Sequence, residues 1–182
     1  MIDWSCIDTV LLDHLPREYA RQHKISEAES SERLHGRLGS RIGSLEWYCL
    51  DHWSTQLDMD IPALKRELQH MVRVRPFALE FLEELRASEL HVVMVTNAHR
   101  KTLDIKMSEV DITHWFDRVV ISHDLQAPKE EQAFWHRLQE LHPFDPARTL
   151  LIDDTERVLE SARTYGIAHL LTLLQPDSRQ QK

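Results

Sequence analysis

Glycine is scarce in this sequence, and the shortage limits how a phosphate group can be bound. Four glycines occur in 182 residues, about 2% where roughly 7% is usual. They are Gly36, Gly39, Gly43 and Gly166. A glycine-rich phosphate loop, of either the Walker or the dinucleotide-binding type, is therefore excluded. Any phosphate site must be built mainly from side chains.

Cysteine, basic charge and long apolar runs are also in short supply. Cys6 and Cys49 are the two cysteines, too few for a disulfide framework, so a reducing cytoplasm is the expected location. Lys plus Arg number 22 against 30 Asp plus Glu, a net charge of −8, which argues against binding to a nucleic acid polymer. No apolar run approaches the roughly 20 residues of a membrane span, so no membrane association is expected.

Beyond Pro76, short apolar runs alternate with stretches of helical spacing. The predicted strands are Leu90–Val95, Arg118–Ser122, Thr149–Asp153 and Ala168–Leu173. Continuous apolar runs are typical of strands covered on both faces, and Gly166 is placed to end the helix before the last strand. The pattern predicts an α/β fold with a Rossmann-like parallel sheet and helices on both faces.

The first part of the chain has a different character. The run Cys6–Asp13 predicts one further strand, whereas the stretch from Pro16 to Arg73 shows helical patterns alone. We therefore expect a core formed by residues 1–13 and 75–182, with residues 14–74 as a small all-helical cap inserted after the first strand. Such a cap would cover the carboxyl ends of the strands, where ligands of these folds bind.

Polar residues follow the predicted strands where each one ends. They are Asp13, the pair Thr96 and Asn97, Lys129, and the pair Asp153 and Asp154. Taken singly, Asp13 also fits a helix cap, Thr96 and Asn97 a turn, and Lys129 a solvated surface charge. Taken together, carboxylates, a hydroxyl, an amide and an ammonium suit phosphate-ester chemistry with a divalent metal.

Three of these segments resemble motifs of a known family. Val93–Asn97, Pro128–Lys129 and Leu150–Thr155 resemble the second, third and fourth motifs of the haloacid dehalogenase superfamily of phosphohydrolases. The resemblance implies that Asp13 is the nucleophile and forms an aspartyl-phosphate, that Thr96 and Asn97 bind phosphate, and that Lys129 neutralises the phosphoryl group and the nucleophile. It also implies a Mg²⁺ ion held by Asp13, Asp153 and Asp154.

Within the superfamily, the segments Trp47–Trp53 and Thr96–His99 are similar to bacterial purine 5′-nucleotidases. This similarity implies a small phosphorylated metabolite as the partner, a purine nucleoside monophosphate such as GMP or IMP. Trp47, Tyr48 and Trp53 offer flat apolar surfaces for a base, although their helical spacing favours a role in the core of the cap.

The first motif departs from the family pattern, which is Asp-x-Asp-Gly-Thr. Asp13 is followed by His14, Leu15 and Pro16, so the second aspartate, the general acid and base, is missing. One hypothesis is that a loop between the first strand and the cap is missing, either deleted from the protein or omitted from the sequence. Asp13 could then belong to the strand or to the cap. A measured mass of 21.5 kDa for the intact protein would exclude the second version, because the protein itself would lack the loop.

Other functions remain open alternatives. They are a phosphatase of this superfamily acting on another small phosphometabolite, a metal-independent dehalogenase relative, and a non-catalytic protein that binds a phosphometabolite. The incomplete first motif favours the last of these, whereas Asp153 and Asp154 favour a metal-dependent enzyme.

Overall fold

The computed structural model describes the backbone of residues 5–172 and the side chains of residues 14–172. The helices are α1 (Ser5–His23), α2 (Glu27–Gly39), α3 (Leu45–Tyr48), α4 (Leu50–Leu57), α5 (Ile61–Glu67), α6 (Ala78–Ala87), α7 (Arg100–Glu109), α8 (Gln132–Leu141) and α9 (Glu156–Tyr165). The strands are β1 (Val93–Thr96), β2 (Arg118–Ile121), β3 (Leu150–Ile152) and β4 (His169–Leu171). Short 3₁₀ turns span Gln69–Met71, Thr113–Trp115 and Pro146–Arg148. None of the helices in this range combines the length and the apolarity that a membrane crossing requires.

The four strands confirm the prediction of an α/β fold with parallel pairing. β1 pairs with β2 from Val93 opposite Arg118 onward, and β3 pairs with β4 from Leu150 opposite His169 onward. In each pair a helix connects the two strands, α7 in the first and α9 in the second. The described strands form two separate pairs, whereas the sequence predicted one sheet with a further strand at its beginning.

The predicted strand Cys6–Asp13 is wrong, because these residues lie in α1. A short continuous apolar run does not by itself distinguish a buried strand from a helix segment. The predicted boundary after Asp13 accordingly falls inside a helix, and α1 packs against α2 and α5. The limits of the cap, residues 14–74, stay a prediction.

The N-terminal helices, α1 to α5, share a hydrophobic core of their own. Side chains next to the first turn cap two of these helices: the Ser26 hydroxyl accepts the Glu29 N–H at 3.2 Å at the start of α2, and the Asp60 carboxylate accepts the Ala63 N–H at 2.9 Å at the start of α5. Such caps satisfy N–H groups that have no partner within the helix. The buried residues of this core are Leu15, Tyr19, Leu34, Leu50, Trp53, Leu57, Met59, Ile61 and Leu64.

Two other clusters pack around the strands. One joins β2 and β3 to α8 and α9 and contains Val120, Leu125, Ala127, Phe134, Trp135, Leu138, Leu151, Val158, Ala162 and Ile167. The other packs on β1 and β2 and contains Val72, Leu82, Met94, Leu103, Ile112 and Ile121. As predicted, Gly166 ends α9 in the left-handed conformation, with φ 111°, which glycine adopts without the steric cost of a Cβ atom.

Candidate active site

The end of β1 presents Thr96 and Asn97, both buried. The Ser122 N–H donates to the Thr96 carbonyl at 2.8 Å, which extends the pairing with β2 by one residue. The Ala98 N–H donates to the Thr96 hydroxyl oxygen at 3.1 Å. Because the hydroxyl oxygen acts as an acceptor there, its own O–H group can donate to a substrate oxygen.

Asn97 connects this strand end to the loop that carries Lys129. Its Oδ1 accepts the Lys129 backbone N–H at 2.9 Å, and its Nδ2 donates to Glu130 Oε2 at 2.8 Å. On the far side of the loop, the indole of Trp135 donates to the Lys129 carbonyl at 3.1 Å. The backbone of Lys129 is thus held on both sides.

The Lys129 side chain meets the end of β3. Its Nζ lies 2.5 Å from Asp153 Oδ2, and the two side chains are 10% and 7% exposed. The other oxygen of Asp153 accepts the Thr155 N–H at 3.0 Å. Buried charges are tolerated where they are paired and hydrogen-bonded. The structure therefore brings Thr96, Asn97, Lys129 and Asp153 together at one end of the cavity, and their roles in binding phosphate stay a prediction.

Asp154 is exposed beside Asp153, and its Oδ1 accepts the Thr155 hydroxyl at 3.3 Å. Among the side chains of residues 14–172, no three His, Cys, Asp or Glu ligands come together. Magnesium is commonly held by one or two carboxylates together with water and substrate phosphate oxygens. Asp153 and Asp154 fit that donor set, and their role as metal ligands stays a prediction.

Asp13 does not lie at a strand end, which corrects the placement expected from the sequence. Its backbone belongs to α1, and its side chain is outside the described residues. Leu15, two residues later, lines the same cavity as Thr96 and Lys129. The role of Asp13 as nucleophile and metal ligand stays a prediction.

A cavity of about 830 Å³ connects the strand ends to the N-terminal helices. Its wall includes Asp153 and Asp154 together with Trp47, Tyr48 and Trp53. Pockets for small molecules have volumes of about 300–1,000 Å³. Trp53 is buried in the helical core and donates its indole N–H to the Trp47 carbonyl at 3.0 Å. It therefore packs in that core and also lines the cavity.

Glu130 is a site residue that the sequence analysis missed. Its Oε1 accepts the Tyr48 hydroxyl at 2.6 Å, while its other oxygen receives the Asn97 amide. Burial and the adjacent Glu130 carboxylate raise the pKa of Tyr48, which keeps the phenol protonated as a donor. Glu130 follows Lys129 directly, but no local pattern links it to a tyrosine 82 positions earlier.

The sequence also contains no sign of an ion pair that joins α4 to α7. Asp51 Oδ1 lies 2.5 Å from Lys101 Nζ, and its Oδ2 lies 3.8 Å from His99 Nε2. The hydrogen bond from Lys101 lowers the pKa of Asp51. Burial lowers the pKa of His99 and of its ring neighbour His123, so both imidazoles favour the neutral form.

Comparison with known proteins shows what this chain is similar to. The chain matches the family described as haloacid dehalogenase-like hydrolase over residues 17–172. It is 32% identical over 194 aligned positions to the GMP/IMP nucleotidase YrfG of Escherichia coli strain K12, an alignment covering 97% of this chain and 87% of that protein. The protein of the same name from Shigella flexneri gives the same values.

Solved structures agree on the fold. A HAD phosphatase from Thermococcus onnurineus superposes with a TM-score of 0.82 at 20% identity, covering 100% of this chain and 85% of that one. The HAD family enzyme bt-2542 from Bacteroides thetaiotaomicron gives a TM-score of 0.62 at 16% identity, covering 81% and 82%. The latter structure is an Asp-to-Ala mutant in complex with magnesium and inorganic phosphate.

Proposed function

The chain belongs to the haloacid dehalogenase-like hydrolase family, which confirms the prediction of a hydrolytic enzyme of the phosphatase type, and from this premise we propose that it hydrolyses a purine 5′-mononucleotide. The proposal rests on Lys129, whose ammonium is buried against the Asp153 carboxylate and whose backbone N–H donates to Asn97 at the end of β1. The relative named as a GMP/IMP nucleotidase supports the choice of substrate.

The polar residues of the cavity each have a task in this reaction. The Lys129 ammonium offsets negative charge on the phosphoryl group, which is where charge is greatest during transfer. The Thr96 hydroxyl donates to a phosphate oxygen, and Asn97 holds the loop of Lys129 in place through its amide. Because the Lys129 side chain is only 10% exposed, its charge is weakly screened by solvent.

Asp153 and Asp154 are the residues that would hold Mg²⁺. The ion supplies Lewis-acid polarisation of the phosphoryl oxygens and charge neutralisation when it is bound. Asp153 keeps its orientation through the Thr155 N–H, whereas Asp154 is exposed at the same strand end.

Asp13 is the proposed nucleophile. Its carboxylate oxygen would form a bond to phosphorus while the bond from phosphorus to the nucleoside 5′ oxygen breaks, giving an aspartyl-phosphate that water then hydrolyses. The leaving oxygen must take its proton from solvent, because position 15 holds leucine where the family has its acid. General acid–base catalysis is worth about 10²- to 10⁴-fold, so we expect slow turnover.

A phosphate-release assay tests this function. The substrates are IMP, GMP and a panel of small phosphomonoesters, each with Mg²⁺ and with a chelator. We expect Mg²⁺-dependent turnover that is lost in Asp154→Asn and Asp13→Asn. The matched control is Asp104→Asn, which changes an exposed carboxylate on α7 outside the cavity and should leave turnover intact.

The other outcomes identify the alternatives. Turnover that persists in the chelator contradicts the metal-dependent reaction. No turnover of any phosphomonoester by the intact chain contradicts the enzymatic proposal. Calorimetric binding of a mononucleotide without turnover would then establish a phosphometabolite-binding protein, which the helical placement of Asp13 favours as the second candidate.

A further inference from the structure

Glu130 touches both the N-terminal helices and the phosphate end of the cavity. One carboxylate oxygen accepts the Tyr48 hydroxyl at 2.6 Å, and the other accepts the Asn97 amide at 2.8 Å. We propose that Glu130 is a positioning residue that fixes the Asn97 amide at the phosphate site and couples it to the position of α3 above the cavity. This inference rests on the proposed function, since it assigns Asn97 to the phosphate end.

The chemistry of the carboxylate suits this double role. Asn97 presents its nitrogen to Glu130 because its oxygen is already occupied by the Lys129 N–H. An ionised carboxylate accepts hydrogen bonds at both oxygens and donates none. Glu130 can therefore accept from Tyr48 and from Asn97 simultaneously, one at each oxygen, and hydrogen bonds to a charged acceptor are the stronger kind.

The sequence of contacts connects two parts of the fold that are far apart along the chain. Tyr48 is the last residue of α3, Glu130 lies in the loop before α8, and Asn97 follows β1. A shift of α3 removes the Tyr48 hydroxyl from Glu130 and leaves the carboxylate held by the Asn97 amide alone. The position of α3 and the orientation of the amide are thus coupled through the Glu130 side chain, and the Asn97 amide also interacts with the Tyr48 hydroxyl directly.

A different contact across the same helices provides a comparison. Asp51 on α4 pairs with Lys101 on α7, with the two side chains 56% and 51% exposed. This ion pair joins α4 to α7, the helix between β1 and β2, and neither of its side chains is bonded to Asn97. Asp51→Asn therefore loosens the helices without altering the phosphate site, which separates a general effect of loosening from the specific effect of Glu130.

Four variants of the full chain test the proposal: Glu130→Ala, Tyr48→Phe, Asp51→Asn and the control Glu131→Ala. The Glu131 carboxylate is exposed and makes no capping hydrogen bond to α8, so its removal matches the change in charge. The first readout is calorimetric binding of inorganic phosphate, which occupies the phosphate end without reaching the helices. The second is backbone hydrogen exchange of residues 45–57.

We expect Glu130→Ala to weaken phosphate binding by roughly tenfold to a hundredfold, the usual effect of a lost charge-assisted hydrogen bond. Asp51→Asn keeps both hydrogen bonds of Glu130 and should leave phosphate affinity within about twofold of the unmodified chain. Tyr48→Phe removes the bond from α3 to Glu130 but keeps the Asn97 amide bond, so it should weaken phosphate binding by an intermediate factor of roughly twofold to tenfold. Hydrogen exchange of residues 45–57 should be faster in all three variants and unchanged in Glu131→Ala. In turnover, Tyr48→Phe should raise KM for the mononucleotide more than it lowers kcat.

Two results would overturn the proposal. Phosphate affinity in Glu130→Ala equal to that of Glu131→Ala would show that Glu130 does not position Asn97. Unchanged exchange in both Tyr48→Phe and Glu130→Ala would show that no coupling to α3 exists. If the unmodified chain neither hydrolyses a phosphomonoester nor binds phosphate, the proposed function fails, and the exchange measurement still decides whether Glu130 holds the helix.

Discussion

The ion pair of Lys129 and Asp153 should contribute far more to the free energy of unfolding than an exposed ion pair of the same length. Lys129 Nζ lies 2.5 Å from Asp153 Oδ2, with side chains 10% and 7% exposed. Lys101 Nζ lies at the same 2.5 Å from Asp51 Oδ1, but those side chains are 51% and 56% exposed. The two pairs therefore differ mainly in burial, which makes Lys129→Met and Lys101→Met a matched comparison.

Breaking a buried pair by removing one partner costs about 3–5 kcal/mol, because an uncompensated charge stays buried. Asp153 keeps the Thr155 N–H, so we take the lower end, about 3 kcal/mol, for Lys129→Met. Exposed pairs contribute about 0–1 kcal/mol, and this is our expectation for Lys101→Met. With a urea m-value of about 2 kcal/mol per M, the midpoints should fall by about 1.5 M and by less than about 0.5 M.

Urea unfolding followed by tryptophan fluorescence and far-UV circular dichroism measures both midpoints. Trp135 is a suitable reporter, since its indole donates to the Lys129 carbonyl and is fully buried. The double variant Lys129→Met, Asp153→Asn should be less destabilised than the sum of the single variants, because each removes the charge that the other leaves unpaired. Equal midpoint shifts for Lys129→Met and Lys101→Met would refute the reasoning from burial.

Three further predictions concern single residues. Gly166→Ala should lower the free energy of unfolding by roughly 1–2 kcal/mol, measured as a fall in Tm, because the cost is confined to the left-handed backbone and an added Cβ meets no atom within 4 Å. Trp135→Phe should lower the free energy of unfolding, measured in urea, by about 2–3 kcal/mol. It removes the indole N–H that donates to the Lys129 carbonyl and to Ser161 Oγ at 2.9 Å, and it leaves a small cavity. Burial lowers the pKa of His123, so the unfolded chain binds more protons and stability present above about pH 6.5 falls on acidification. Urea midpoints at pH 7.5 and 5.5 should therefore differ less in His123→Gln than in the unmodified chain; no change in that difference would contradict the assignment.

Much of the strand region could be predicted because its signals are local. Apolar runs flanked by polar residues gave β1 to β4 to within a few positions, and Gly166 marked the end of α9. The placement of Thr96 and Asp153 at the carboxyl ends of β1 and β3 followed from the strand pattern and its direction, although these strands lie in separate pairs and Lys129 reaches Asp153 from the loop after β2. These inferences need only the period of the pattern and the direction of the strands.

The errors and omissions arise where distant residues decide the outcome. The apolar run Cys6–Asp13 fits a strand or a helix, and the structure places it in α1. The helical pattern around Tyr48 is interrupted at Cys49, which ends α3 and caps α4. The bond between Tyr48 and Glu130 joins positions 82 apart, and no periodicity in a single sequence reports such a contact.

The separation of the strands into two pairs also determines what the cavity wall is made of. The Val92 carbonyl accepts from Asp117 on the β2 side at 2.8 Å, and the Thr149 carbonyl accepts from His169 on the β4 side at 3.2 Å. Successive residues of a strand direct their N–H and C=O groups to opposite sides, so those of Val93 point away from β2 and those of Leu150 point away from β4. Both residues line the cavity.

Beneath its apolar side chains, then, the wall carries main-chain donors and acceptors that require water or a polar partner. An apolar ligand that filled the cavity would leave the peptide groups unsatisfied, at a cost that opposes its own burial. Ligands that carry hydrogen-bonding groups along their length should therefore fill the cavity better than hydrophobic molecules of the same size.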